Sequence, residues 1–198
     1  MRLGLMGGTF DPIHLGHLFI AEDVRVRLNL DRVLFIPNGT PPHKSGSGIT
    51  SAQRRFEMTC LATKSNPYFD CDAVEMHRQG TSYAVETLAI LLERYPDTDL
   101  FYITGIDAVA EILTWKRHEE VVRMATFVAA TRPGFDTDLL KRVLPASYVD
   151  RIEIIESVGL DISSTEVRKR IAAGLSVRYL VPDAVLEYIA TNNLYRKA

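Results

Sequence analysis

The sequence predicts an α/β fold: a doubly wound, mostly parallel sheet with helices on both faces and a C-terminal helical segment. Two observations lead to this prediction. About six short apolar runs alternate with segments of helical periodicity, which is the order of elements expected of such a sheet. The first strand–helix–strand unit takes roughly 30 residues, the length of a right-handed crossover between parallel strands. No stretch resembles a linker, so we expect one domain over residues 1–198.

Each element is predicted from the local pattern. Short runs rich in β-branched and aromatic residues predict strands over residues 3–6, 32–37, 69–76, 99–104, 126–131 and 151–155. Apolar residues at helical spacing predict helices that begin near residue 15, cover 51–65, 84–94 and 138–144, and recur after residue 162 and over 183–190. Thr81 or Ser82 is expected to cap the third helix with its hydroxyl. Arg54 and Arg55, early in the second helix, are expected on its solvated face.

Composition argues against several classes of partner. The formal net charge of −2 gives no broad attraction to nucleic acid, so no nucleic-acid partner is expected. The two cysteines, Cys60 and Cys71, show neither a metal-site spacing nor a disulfide framework, which is compatible with a reducing cytoplasm. The sequence shows no leader and no apolar run of membrane-spanning length. We therefore expect a soluble, cytoplasmic protein without a membrane partner.

The stretch from Gly7 to His17, G-G-T-F-D-P-I-H-L-G-H, carries the strongest chemical signal. A ligand can approach the backbone of two glycines closely and meet its amide N–H groups. His14 and His17, three residues apart in the first turn of a helix, should face the same way, at a helix end that favours an anion. Together these features predict a phosphate site. A histidine metal pair is disfavoured, because helical pairs are more often four residues apart and no cysteine or third histidine lies nearby.

A second segment and one loop are candidates for the same chemistry. Ser163 and Glu166 fit a capping box, which indicates a capped helix after residue 162. Three hydroxyls at that helix start, with Arg168 one turn along, also form an anion cradle, and the two interpretations are compatible. The loop over residues 38–48 is either a plain connector or a lid that carries Lys44 to a phosphate.

Both motifs resemble those of a known family. G-G-T-F-D-P-I-H-L-G-H resembles the signature of the nucleotidyltransferase superfamily, whose H-x-G-H motif is shared with class I aminoacyl-tRNA synthetases. The form with G-G-T-F-D-P resembles the bacterial nicotinate-nucleotide adenylyltransferases, and I-S-S-T-x-V-R resembles their second signature. The resemblance runs from Gly7 to about Tyr188. It implies a Rossmann-like nucleotidyltransferase fold and transfer of the adenylyl group of ATP to nicotinate mononucleotide, giving nicotinate adenine dinucleotide and pyrophosphate in NAD biosynthesis.

The resemblance also implies roles for individual residues. The catalytic residues would be His14, His17, Lys44 and Arg168. ATP would contact Gly7, Gly8, Thr9, Phe10, Gly105, Asp107, Arg132, Ile162, Ser163, Ser164, Thr165 and Arg168. The mononucleotide would contact Thr81, Ser82, Tyr83, Ile106, Trp115 and Lys116. Asp107 is equally well explained as a helix N-cap. Mg²⁺ would accompany ATP, with no protein ligands assigned to it.

The chain departs from the family pattern in the segments that would hold the pyridine ring. Ala84 and Glu86 replace the usual threonine and aspartate of S-Y-T-x-D-T-L, and Lys116 replaces the tyrosine that usually follows the tryptophan. Segments 81–83 and 115–116 contain donors and one cation but no carboxylate. Such a pocket favours the acid mononucleotide over the amide, because an amide needs an acceptor as well as donors.

The expected mechanism is direct in-line attack of the mononucleotide phosphate on the α-phosphorus of ATP, since no serine or cysteine nucleophile stands next to a base. Three alternatives stay open: another adenylyltransferase such as the phosphopantetheine type, a version that prefers nicotinamide mononucleotide, and a nucleotide-binding module without turnover. The oligomeric state is also open, a homodimer included.

Overall fold

The computed structural model describes residues 1–40, 48–76, 78, 80–131, 134, 136, 138–158 and 160–196. The strands in them are β1 (Arg2–Gly8), β2 (Arg32–Pro37), β3 (Phe69–Cys71), β4 (Asp99–Gly105), β5 (Thr126–Thr131) and β6 (Ile152–Glu156). They form one parallel sheet of order β3-β2-β1-β4-β5-β6. The α-helices are α1 (Leu15–Arg27), α2 (Ala52–Thr63), α3 (Ala84–Arg94), α4 (Ile106–Ala110), α5 (His118–Met124), α6 (Leu139–Val143), α7 (Ala146–Val149), α8 (Ser164–Ala172) and α9 (Asp183–Thr191). The predicted doubly wound α/β architecture is confirmed.

One strand is shorter than predicted. β3 ends at Cys71 rather than at residue 76, because the backbone turns immediately afterwards. Oδ1 of Asp72 accepts a bond from the N–H of Val74 at 2.8 Å, and the N–H of Met76 donates to the carbonyl oxygen of Ala73 at 2.8 Å. A side chain that bonds the backbone two residues on offers an alternative to the sheet ladder. The β-branched and aromatic pattern did not reveal this turn.

The N-terminus of α3 also differs from the prediction. Its N-cap is Tyr83, whose side chain makes no capping bond, so the prediction of Thr81 or Ser82 was wrong. The backbone N–H of Ser82 donates instead to the carbonyl oxygen of Thr40 at 3.0 Å. The segment before α3 is therefore bonded to the loop that follows β2.

The sheet separates two hydrophobic cores. Successive residues of a strand point to opposite faces, so Leu5 and its neighbour Leu34 on β2 pack in one core, while Met6 and its neighbour Phe35 pack in the other. Strands of a parallel sheet buried on both faces have continuous apolar sequences rather than alternating ones. This explains why the predicted strands lacked a polar face.

The chain leaves β1 and β4, which are neighbours, toward opposite faces of the sheet. The helix after β1 packs into one core through Ala21 and Val24, and the helix after β4 packs into the other through Ile106 and Val109. Open α/β sheets form a crevice beyond the carboxyl ends of the strands at such a switch point. The fold therefore places a binding cleft between the N-termini of α1 and α4.

The predicted C-terminal helical segment is present as α9, which packs against α2. The hydroxyl of Tyr188 on α9 donates to the carboxylate of Glu57 on α2. In the described part of the chain, no helix combines the length and apolar character that crossing a membrane requires.

Candidate active site

A cleft of about 700 Å³ opens at the switch point. It is lined by the start of α1, by the junction of β4 and α4, and by the start of α8. The predicted site residues in this lining are His14, His17, Gly105, Ile106, Asp107, Ile162, Ser163, Ser164, Thr165 and Arg168. Two motifs far apart in the sequence thus contribute to one cavity.

His14 and His17 form a stacked pair at the start of α1. Their ring centroids are 3.6 Å apart and the rings are inclined by 23°. The backbone N–H of His14, the N-cap residue, donates to Nδ1 of His17 at 3.2 Å. Because Nδ1 accepts, the proton of a neutral His17 lies on Nε2, which is then a donor. The prediction that both side chains face the same way is confirmed.

Both imidazoles are neutral at pH 7 in the folded chain. Burial lowers the pKa of His14 from its ordinary value of 6.5 to about 4. Burial, and secondly the neighbouring His14, lower the pKa of His17 well below its ordinary value. Nδ1 of His14 is buried and has no hydrogen-bond partner among the described residues. A nearby anion favours the protonated form of histidine, so the pair can gain positive charge when a phosphate arrives.

The lowered pKa of His14 predicts a loss of stability in mild acid. In the unfolded chain His14 takes up a proton near pH 6.5, but in the folded chain only near pH 4. As the pH falls through this window, protons favour the unfolded state, and His14 alone should lower the free energy of unfolding by about 3 kcal/mol. Urea unfolding at pH 7 and pH 4 would measure this, and a His14→Gln variant should lose correspondingly less. Equal losses in the two chains would contradict the assignment.

The start of α8 is bonded directly to the turn between the glycines and the histidines. Oγ of Ser164 donates to the carbonyl oxygen of Pro12 at 2.8 Å. Nη1 of Arg168 donates to the carbonyl oxygen of Asp11 at 2.7 Å. These two bonds hold the second motif against the first across the cleft.

The carboxylate of Asp11 supports the same turn from behind. It is buried, with Oδ1 accepting from the hydroxyl of Tyr195 at 2.7 Å and Oδ2 accepting from the N–H of Thr50 at 3.4 Å. Burial, together with the bond to Asp11, raises the pKa of Tyr195, so its hydroxyl keeps the proton that it donates. Asp11 therefore acts as an anchor for the loop rather than as a ligand group.

The N-terminus of α8 is capped as predicted. Oγ of Ser163 accepts a bond from the N–H of Glu166 at 3.1 Å, and Oγ1 of Thr165 lies 3.4 Å from Nη2 of Arg168. With the serine hydroxyls engaged in structural bonds, the backbone N–H groups of the first turn are the donors best suited to an anion in the cleft. The capped-helix and anion-cradle interpretations are thus compatible in geometry.

Arg55 is buried, so the prediction that it lies on a solvated face was wrong; Arg54 is exposed as predicted. The guanidinium of Arg55 donates to four carbonyl oxygens, those of Thr9 (2.7 Å), Asn38 (2.7 Å), Gly39 (3.0 Å) and Thr50 (2.9 Å). Buried carbonyl groups need donors. The guanidinium of Arg55 supplies them to the loop after β1, to the loop after β2 and to the segment before α2. Helical spacing indicates this burial, since Arg55, Met58 and Ala62 fall on one buried face of α2.

The end of β1 has little space for side chains. A Cβ at Gly7 would lie 2.9 Å from the hydroxyl oxygen of Tyr102, and one at Gly8 would lie 2.9 Å from the ring of Phe10. Phe10 itself is buried in the core beside Phe35, with a φ of 49°. The side chain of Phe10 is thus part of the core, and the predicted contact of this residue with ATP stays a prediction.

Trp115 packs against Tyr102 and Phe127, and this aromatic cluster reaches the end of β1. Its ring centroid lies 5.7 Å from that of Tyr102 and 5.9 Å from that of Phe127, both in edge-on geometry. The hydroxyl of Tyr102 in turn lies against Gly7. Trp115 is partly buried, so part of its indole is accessible.

The two predicted pyridine-ring segments meet at Lys116. Its Nζ lies 4.1 Å from the ring centroid of Tyr83 and 2.9 Å from Oε1 of Glu86. The expectation of a cation without a carboxylate was therefore wrong, because α3 brings Glu86 to the ammonium group. The described residues that were predicted as contacts but do not line the cleft are Gly7, Gly8, Thr9, Phe10, Thr81, Ser82, Tyr83, Trp115 and Lys116.

Asp107 lies in the first turn of α4, exposed in the cleft. The N-cap of α4 is Gly105, so the alternative interpretation of Asp107 as the cap was wrong. Among the described residues, no group of three or more His, Cys, Asp or Glu side chains could hold a metal ion. Lys44 and Arg132 lie outside the described residues, and their roles stay predictions.

The fold and the paired motifs define a class of protein. A sequence model described as cytidylyltransferase-like matches residues 5–170, and the chain therefore belongs to the cytidylyltransferase-like family. The chain is 48% identical to a Moorella thermoacetica protein named "Probable nicotinate-nucleotide adenylyltransferase", over 98% of this chain and 92% of the relative. It is 45% identical to a Thermoanaerobacter protein of the same name, over 100% and 95%. Within the family it thus belongs to the nicotinate-nucleotide adenylyltransferases.

A solved structure has the same fold. The Plasmodium falciparum nicotinic acid mononucleotide adenylyltransferase complexed with NaAD is similar at a TM-score of 0.78 and 19% identity, covering 98% of this chain and 97% of that chain. At this identity the likeness concerns the fold. It confirms the predicted nucleotidyltransferase architecture.

Proposed function

We propose that the chain transfers the adenylyl group of ATP to nicotinate mononucleotide, with the phosphate chemistry at the cleft between α1 and α8. The observation that carries the proposal is the stacked His14–His17 pair in the same cavity as the N-terminus of α8 and Arg168. The names of the relatives support it. The products would be nicotinate adenine dinucleotide and pyrophosphate.

Several groups have roles in this proposed reaction. His17, with its proton on Nε2, donates to the α-phosphate region, where negative charge develops during attack. Arg168 and the backbone N–H groups of α8 hold the departing pyrophosphate, with Lys44 as an additional cation. The phosphate of the mononucleotide is already nucleophilic, so positioning and charge neutralisation are sufficient and no strong base is needed.

ATP would enter as its magnesium complex. Mg²⁺ prefers oxygen ligands and keeps several waters, so it binds mainly through phosphate oxygens and one or two carboxylates. Asp107 is the carboxylate among the described residues that line the cleft. It could hold a water of the ion or a ribose hydroxyl. The ion would neutralise part of the charge on the departing pyrophosphate.

The choice of acceptor gives the direct test of this function. We expect kcat/KM for nicotinate mononucleotide to exceed that for nicotinamide mononucleotide by at least about tenfold. Both oxygens of Glu86 are already paired with cations, so an amide placed among the remaining donors would leave its NH₂ group without a free acceptor. Pyrophosphate release from ATP with each acceptor measures the ratio. Comparable values would overturn the acceptor assignment and leave adenylyl transfer standing, whereas release with neither would overturn the transfer itself.

Replacement of Arg168 should raise the KM for ATP more than the KM for the mononucleotide. An Arg168→Ala variant loses the side chain that would hold the triphosphate, and we expect a rise of about tenfold or more in KM for ATP. An Arg168→Lys variant should also be impaired, since lysine lacks the planar fork. Steady-state kinetics with each substrate varied in turn gives the comparison. Equal effects on both substrates would indicate that Arg168 serves mainly to hold the carbonyl oxygen of Asp11.

A further inference from the structure

Two side chains that differ from the family pattern contact each other beside the candidate pyridine pocket. Lys116, on the loop before α5, and Glu86, in the first turn of α3, are joined by a bond of 2.9 Å between Nζ and Oε1. The same ammonium group lies 4.1 Å from the ring centroid of Tyr83, and Trp115 is its neighbour in the chain. The pair therefore links the two segments assigned to the mononucleotide.

Glu86 lies between two cations. Its second oxygen accepts a bond from Arg78, whose Nη1 also donates to Oγ1 of Thr87 at 3.1 Å. The hydroxyl of Thr87 donates in turn to the buried carboxylate of Glu75 at 2.6 Å. Arg78 thus keeps Glu86 in place on α3 independently of Lys116. It is Lys116, with 45% of its side chain exposed, that can leave the pair for another carboxylate.

The location of the Lys116–Glu86 pair matters for the choice of acceptor, whereas its strength matters little for stability. A partly exposed ion pair contributes little to stability. However, the two candidate acceptors of the reaction differ only at the ring substituent, which is a carboxylate in one and a neutral carboxamide in the other. The ammonium group of Lys116, next to the indole that would contact the pyridine ring, favours the carboxylate over the carboxamide. The size of this preference depends on how much of its positive charge is left unbalanced by Glu86.

We propose that Glu86 is a specificity-determining residue, which by pairing with Lys116 limits how strongly the pocket prefers the acid mononucleotide over the amide. This inference rests on the proposed function of the same site. In the native chain the charge of Lys116 is largely balanced, and neutral donors supply most of the preference. Without the carboxylate of Glu86 the ammonium is free to approach the acid substituent.

The test compares kcat/KM for the two mononucleotides in four chains. Glu86→Gln should raise the acid-to-amide ratio by about 3- to 10-fold, the size expected for one freed charge several ångströms away in a partly hydrated site. Lys116→Met should lower the ratio. In the Lys116→Met background, Glu86→Gln should change the ratio by less than about twofold. Added salt should reduce the effect of Glu86→Gln, because ions screen an exposed charge.

A matched control lies next to this loop, in the first turn of α5. Glu120 pairs with Arg117 at 2.7 Å, and Glu120→Gln makes the same change of charge without touching Lys116. It should leave the ratio unchanged within about twofold. Trp115 is the one tryptophan in the sequence, so its fluorescence gives a second measurement: the affinity of each variant for each mononucleotide without turnover.

The outcomes separate the inference from the proposed function. If neither mononucleotide supports pyrophosphate release in the native chain, the proposed function fails. If transfer occurs and Glu86→Gln leaves the ratio unchanged in both kinetics and binding, the inference alone fails. An equal effect of Glu86→Gln with and without Lys116 would also overturn it, because Glu86 would then act through something other than this pair.

Discussion

Replacement of His17 by alanine is expected to lower kcat by about 10²–10³-fold, which is the usual loss for one preorganised donor at a developing charge. The bond from the N–H of His14 occupies Nδ1 of His17 and leaves the protonated Nε2 as the donor. The ring is further held by stacking on His14 and by the edge of Phe10, with centroids 5.1 Å apart in the second case. Single-turnover formation of the dinucleotide would measure the loss.

The same variant removes a structural bond, so it needs a companion. Glutamine three residues after an N-cap can accept the N–H bond of the cap residue, as in a capping box. His17→Gln should therefore keep the start of α1 intact and still lose about the same factor in kcat. Near-normal turnover in His17→Gln would refute the donor role, and a loss in His17→Ala alone would assign His17 to the capping of the helix.

Replacement of Arg55 by leucine should lower the free energy of unfolding by about 4 kcal/mol or more, since it leaves several buried carbonyl oxygens without donors. These carbonyls belong to Thr9 within the first motif, to the loop after β2 and to Thr50. In a chain of this size, such a loss corresponds to a decrease of roughly 10 °C in Tm. Urea and thermal unfolding, read by circular dichroism, would measure it.

The neighbouring arginine is the control for Arg55. Arg54→Leu makes the same change one residue away, at an exposed position of the same helix, and should alter stability by no more than about 0.5 kcal/mol. If the two variants unfold at the same urea concentration, the carbonyl contacts of Arg55 contribute nothing measurable. A buried structural role would then be wrong.

Features that depend on neighbours along the chain could be predicted from the sequence. Apolar periodicity located the sheet strands and the main helices. The three-residue spacing of His14 and His17 placed both imidazoles on one side of α1, where the structure shows them stacked. The S-x-x-E pattern likewise identified the cap at Ser163. In each case the physical cause lies within one or two turns of backbone.

Features that depend on distant contacts could not be predicted. Helical spacing distinguishes Arg55 from Arg54, but the carbonyl oxygens that its guanidinium bonds lie 16, 17 and 46 residues away, and no local pattern reveals them. The carboxylate of Asp11 is held by Tyr195, 184 residues along the chain, and no local pattern reveals that contact. The balance of charge at Lys116 was misjudged for the same reason, since Glu86 is 30 residues away in sequence.

The contact of Tyr102 with both Gly7 and Trp115 has a consequence for which substrates fit the site. The backbone of Gly7 and the indole of Trp115 both contact the phenol of Tyr102, so a shift of one would displace the ring that the other packs against. If Gly7 contacts ATP and Trp115 contacts the mononucleotide as predicted, Tyr102 sets the distance between the two binding regions. An acceptor analogue with a shorter or longer connection between its ring and its phosphate would then be unable to reach the indole and the ATP phosphates together.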